Sequence, residues 1–104
     1  MKFKAGVKLE GITPEALLGL IVSEQAFKAT GTEMVITSVK DGVHKVGSKH
    51  YEGKAFDLRT KATGLSRRIA QGVKDLLAPV GYDVILEDVD QDNEHLHVEY
   101  DPKA

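Results

Sequence analysis

His50, Asp57 and His97 are the side chains of this chain best suited to hold a divalent metal. The first two lie in Ser48-Lys49-His50-Tyr51-Glu52-Gly53-Lys54-Ala55-Phe56-Asp57, the third in Glu94-His95-Leu96-His97. Neutral imidazole nitrogen and carboxylate oxygen are ligands that a catalytic zinc accepts, and three protein ligands leave the fourth position for water. The His/His/carboxylate set favours zinc over harder cations. Glu94 or His95, close to the last ligand, is placed to take a proton from that water. The chemistry implied is that of a metal-dependent hydrolase.

Such ligands need a scaffold, and the surrounding sequence supplies one. Gly53 permits a sharp turn between His50 and the strand that carries Asp57, and the Ser48 hydroxyl is expected to bond loop backbone. The strand over 54–59 alternates, with Phe56 and Leu58 on the buried face and Ala55, Asp57 and Arg59 on the other. In the strand over 95–100, Leu96, Val98 and Tyr100 share the apolar side, which turns His95, His97 and Glu99 to the opposite one. Further strands are expected over 33–39 and 82–87. Thr13-Pro14-Glu15 starts a helix that runs to about Lys28. Leu17, Leu20, Ile21 and Phe27 are expected on its buried face, with Leu18 and Val22 widening it. A second helix begins near Ser66, with Leu65, Ile69, Val73, Leu76 and Leu77 as its apolar stripe; Pro79 and Gly81 end it. The expectation is a single α+β domain over 1–104: a small antiparallel sheet of about four strands, two helices packed on one face and the zinc site on the other.

Bulk properties exclude several classes. At 104 residues the chain suffices for one modest core, and 41% hydrophobic with 29% charged residues is the balance of a globular protein rather than a disordered tail. The net charge of −2 and the lack of a Lys/Arg block argue against nucleic acid. Without cysteine there is no disulfide, thiolate metal site or cysteine nucleophile. The first ten residues carry lysines but no long apolar run, so no signal peptide is expected, and the apolar stretch 17–22 is too short to span a membrane. The chain is expected to be a monomer made in the cytoplasm, reaching any external substrate only if something else delivers it.

The first run resembles the Ser-x-His-x-x-Gly-x-Ala-x-Asp signature of the zinc D-alanyl-D-alanine carboxypeptidase family. That family includes the phage L-alanyl-D-glutamate endolysins and the D-alanyl-D-alanine dipeptidases of vancomycin resistance. Glu94-x-x-His97 resembles its second element, and His95-Leu96-His97 fits the His-x-His motif shared with the wider lysostaphin and Hedgehog metallopeptidase group. The resemblance covers about residues 36–100. It implies His50, Asp57 and His97 as zinc ligands, Glu94 as catalytic base, and peptidoglycan stem peptides as substrate. It also implies a phage or prophage lytic protein acting on the bacterial cell wall, by carboxypeptidase or endopeptidase cleavage. One departure stands out: members commonly carry an arginine in a Ser-Gly-Tyr-Arg run after the first sheet strand, whereas Thr37-Ser38 is followed here by Val39-Lys40-Asp41. Lys40, Lys45 and Arg59 are the candidates for the missing positive charge, although a lysine presents a point charge rather than a fork.

Other readings use the same residues differently. A non-catalytic zinc-stabilised domain that binds wall peptide, or serves in a phage particle, would keep the metal without the chemistry. Asp88, Asp90, Asp92 and Glu99 fall at positions 1, 3, 5 and 12 of a calcium loop, but Asn93 stands where glycine is needed and the flanks read as strands, so a solvated acidic turn is expected. His44 is expected to be exposed in the long loop, and Tyr51 and Tyr100 to pack.

Overall fold

The structure, a computed structural model, describes residues 1–41, 44 and 46–102. Lys45 lies outside the described residues. The elements are β1 (Lys2–Phe3), α1 (Pro14–Ala29), β2 (Val35–Ser38), β3 (Ala55–Arg59), α2 (Ser66–Leu77) with a 3-10 turn at Ala78–Val80, β4 (Tyr82–Glu87) and β5 (His95–Tyr100).

Helix α1 begins as its capping residues dictate. The Thr13 hydroxyl accepts the Ala16 N–H at 3.2 Å, and Pro14 occupies the first turn, where its missing N–H costs nothing. The buried face differs from the expected one. Ala16, Gly19, Leu20, Ser23, Ala26 and Phe27 are buried, whereas Leu17, Leu18 and Ile21 are about half exposed. The aromatic rings of the sheet set this choice. A Cβ added at Gly19 would come within 3.0 Å of both the Phe56 and Tyr82 rings, so glycine at 19 lets the helix lie this close, while Leu20 and Phe27 are buried as expected. In α2, Ile69, Val73 and Leu77 are buried as expected, but Leu76 is exposed.

The sheet has five strands in the order β1-β2-β3-β5-β4, one more than expected. It is mixed rather than antiparallel. The short β1 pairs parallel to β2 through Lys2 with Val35 and Phe3 with Ile36, while the remaining pairs are antiparallel. Two residues of strand leave no periodicity to read. Strand β5 lies between β3 and β4, and its register sets Asp57 opposite His97 and Arg59 opposite His95. Phe56, Leu58, Leu96 and Val98 join Leu20, Phe27, Ile69 and Val73 in one core between sheet and helices; each such side chain contributes about 1.5–3 kcal/mol by leaving water. The other face of the sheet is left for polar groups. Among the described residues, no helix is long and apolar enough to cross a membrane.

Candidate metal centre

His50 is delivered by a compact turn. The N–H groups of Tyr51, Glu52 and Gly53 bond the carbonyls of Ser48, Lys49 and His50 at 3.0–3.2 Å, and the Ser48 hydroxyl accepts the His50 N–H at 3.2 Å. Gly53 closes the turn with φ +72°, and its carbonyl accepts both the Thr13 N–H (2.9 Å) and the Thr13 hydroxyl (3.1 Å). A Cβ here would sit 2.2 Å from the Gly11 carbonyl oxygen, so both conformation and space call for glycine. The cap of α1 and the metal loop thus share one anchor.

His50, Asp57 and His97 converge and are buried. His50 Nε2 lies 3.2 Å from Asp57 Oδ1 and 3.3 Å from His97 Nδ1, and His97 Nδ1 lies 3.0 Å from Asp57 Oδ1. Tetrahedral zinc with bonds of about 2.0–2.1 Å separates its ligand atoms by about 3.3 Å, which this triangle nearly matches.

The outer contacts settle which nitrogens face inward. His50 Nδ1 is 2.6 Å from the Val39 carbonyl oxygen and His97 Nε2 is 2.7 Å from Glu99 Oε1. Both oxygens accept, so these nitrogens carry the protons, and the neutral rings point lone pairs into the cluster. Three lone pairs aimed at one buried point require a cation. Without a metal, a proton must serve. Burial opposes charge on His97, yet the Asp57 and Glu99 carboxylates outweigh it and raise its pKa to about 9. Burial likewise opposes charge on Asp57, but its bonds to His50 and His97 hold it below the usual carboxylate range.

A cleft of about 590 Å³ opens over the triad. His95 stands in it, beside the triad: Nδ1 donates to the Asn93 carbonyl at 2.7 Å, while Nε2 is 3.0 Å from Glu87 Oε1 and 3.9 Å from Asp57 Oδ2. Burial works against its protonation, but the Asn93 carbonyl and the Asp57 and Glu87 carboxylates prevail and raise its pKa. His44, expected to be exposed, is instead half-buried and stacks on His50 with ring centroids 3.9 Å apart. The Tyr51 hydroxyl clamps His44 through its backbone, donating to its carbonyl at 2.9 Å and accepting its N–H at 2.7 Å.

Glu94 is held apart from the cleft over the triad. It precedes the first residue of β5, and its Oε1 accepts the Thr60 hydroxyl (2.8 Å) and the Ser66 hydroxyl, while Oε2 accepts the Asp90 N–H (2.9 Å). These donors, the Asp90 N–H foremost, lower its pKa. Glu94 does not line the cleft; it ties the β4–β5 turn to the start of α2. The calcium pattern is also absent among the described residues. Asp88 accepts the Asn93 side-chain amide at 2.9 Å, Glu99 is bound to His97, and the four acids form no common ligand group.

No family model, curated protein or solved structure matches the chain. The functional conclusion therefore rests on the chemistry of this site. Three supporting groups escaped sequence reasoning: the Val39 carbonyl, Glu99 as partner of His97, and Glu87 as partner of His95. Glu99 had a signal, since it stands two residues after His97 on the same strand face. Glu87 emerges only from the β4–β5 register.

Proposed function

We propose that this chain is a zinc-dependent peptidase that hydrolyses an amide bond in peptidoglycan stem peptides, as a phage or prophage wall-lytic protein. The observation that carries the proposal is the convergence of His50 Nε2, Asp57 Oδ1 and His97 Nδ1, with tautomers fixed from outside, beside His95 in an open cleft. Zinc, when bound, supplies Lewis acidity and makes water acidic enough to act as nucleophile near neutral pH. Val39 and Glu99 hold the two ligand rings in orientation. His95 moves the proton. Its Nδ1–H stays on the Asn93 carbonyl, so in the neutral ring, whose Nε2 is free, Nε2 takes the proton from attacking water, keeps it against Glu87, and passes it to the leaving amine. His95, not Glu94, is the base in this proposal.

One observation favours the non-catalytic alternative, a zinc-stabilised wall-peptide-binding or phage structural domain. Lys40, one of the candidates for the positive charge of the family's arginine, reaches over Gly11, where a Cβ would meet its ammonium at 2.8 Å, and does not line the cleft. Mass spectrometry of purified stem peptides incubated with the zinc-loaded protein separates the two. Cleaved peptide that disappears in His95→Gln supports the enzyme; bound but intact peptide with the wild type rejects it.

A further inference from the structure

The ligand-bearing face of the sheet continues past His95 toward β1 and β2. There a second cavity, of about 360 Å³, is floored by Asp57, His95 and Thr37 and rimmed by Lys4, Arg59 and Lys61. Backbone pairing brings the three cations together. Arg59 follows Asp57 by two residues on the same face of β3 and stands opposite His95. The Lys4 N–H bonds the Ile36 carbonyl at 2.9 Å, which extends β1 alongside Thr37. Lys61 lies two residues beyond Arg59.

None of these cations forms an ion pair among the described residues. The acids around them are largely engaged. Asp57 faces the two ligand histidines, and Glu94 is held by three donors, its charge favoured further by Lys61. Asp92 is the one remaining carboxylate in the lining. Across the metal triad the charge reverses, because Glu87 and Glu99 stand on the β4–β5 side. The cations free of an ion pair therefore gather on one flank of His95, and Glu87 and Glu99 stand on the other.

We propose that this cavity is a carboxylate subsite, with Arg59 as its principal ligand and Lys61 and Lys4 as supporting charges. An arginine presents its donors as a planar fork that matches both oxygens of a carboxylate. Three like charges beside acids that are mostly engaged elsewhere repel one another, and a bound anion relieves that repulsion. The subsite requires a free carboxylate on the substrate, on the Arg59 side of the scissile amide, and so fixes the direction in which a peptide crosses the triad. This deepens the peptidase reading and rests on it for the substrate, but the binding of a carboxylate does not depend on turnover.

The zinc-loaded protein is titrated with glutarate and, separately, with glutaramide, following Arg59 and Lys61 side-chain signals by NMR. Glutarate is expected to bind and glutaramide is not. Arg59→Gln is expected to weaken glutarate about tenfold, the scale of one charged hydrogen bond, and Lys61→Gln by a smaller factor. Lys74→Gln, which removes the same charge from α2 on the other side of the sheet, leaves binding unchanged. In hydrolysis, a stem tetrapeptide with free carboxylates should have a lower KM than its fully amidated form, and Arg59→Gln should raise KM for the acid alone. Equal binding of glutarate by wild type and Arg59→Gln, or equal losses in Arg59→Gln and Lys74→Gln, overturns the subsite. Glutarate binding that depends on Arg59 in a protein that cleaves no peptide retains the subsite and rejects the peptidase.

Discussion

Glu94→Gln separates a structural carboxylate from a catalytic one. Both Glu94 oxygens accept hydrogen bonds: Oε1 from the hydroxyls of buried Thr60 and half-buried Ser66, Oε2 from the N–H of exposed Asp90. Glutamine keeps one accepting oxygen. If that oxygen stays with the hydroxyls, the new amide opposes the Asp90 N–H, donor against donor. The Asp90 N–H then turns to water, and the bonds that lose their charged acceptor were worth about 1.5–3 kcal/mol each. Net of the neutral bonds that replace them, the loss is about 2–4 kcal/mol, which in a domain of this size lowers the melting temperature by roughly 10–20 °C. Turnover measured well below the new melting temperature should stay within a few-fold of wild type, whereas His95→Gln should lose about two to four orders of magnitude at nearly unchanged stability. The pH dependence gives a second check. The Glu94 pKa is lowered in the fold, so its stabilisation is complete above its ordinary value of 4.5 and is lost as pH falls through the folded value. Glu94→Gln should therefore flatten the acid limb of the stability curve. A variant with unchanged melting and hundredfold lower turnover would restore Glu94 as the base and refute the placement argued above.

Further outcomes follow from the metal cluster and its loop. Glu99→Gln removes the carboxylate behind His97 and should weaken zinc about 10–100-fold, as competition with a chromophoric chelator would show; unchanged affinity would mean that Glu99 does not support the ligand. In the zinc-free protein, His97 is raised from 6.5 to about 9, so it contributes stability fully below pH 6.5 and loses it as pH rises through 9. Zinc must displace that proton, and calorimetry near pH 7.5 in buffers of different ionisation enthalpy should find about one proton released per zinc; no release would reject the shared-proton cluster. Gly53→Ala should destabilise the protein strongly, because its Cβ would meet the Gly11 carbonyl at 2.2 Å, and a chemical-denaturation midpoint equal to wild type would contradict the shared anchor.

Much of the site was legible because strand parity is a strict rule. Alternation in 54–59 and 95–100 turned Asp57, His95 and His97 to one face, and the observed register agrees. Glu94 precedes β5, so parity does not bind it; the Thr60, Ser66 and Asp90 donors fix its carboxylate, and no sequence pattern announces them. Helix α1 buries Leu20 and Phe27 as expected but leaves Leu17 and Ile21 half exposed. Bulky residues mark where water is least welcome, but the Phe56 and Tyr82 rings leave no room for a side chain at Gly19. Close approach is a property of the partner surface, which a helix's own sequence does not contain. Strand β1 and the Glu87–His95 pair depend on tertiary pairing alone, and no local signal announces either.

The position of β5 inside the sheet has a consequence for how the protein matures. Strand β5 follows β4 along the chain yet lies between β3 and β4, so β3 takes its second neighbour from β5 rather than from β4, the nearer strand in sequence. His97 travels on that strand, while His50 and Asp57 wait some forty residues earlier. The triangle of donors therefore closes on a long-range contact, a slow class of folding event. During synthesis, residues 50–57 offer a histidine and a carboxylate well before the second imidazole emerges. The full ligand set of the proposed centre exists only once β5 has paired with β3, and a chain without that pairing holds no finished centre.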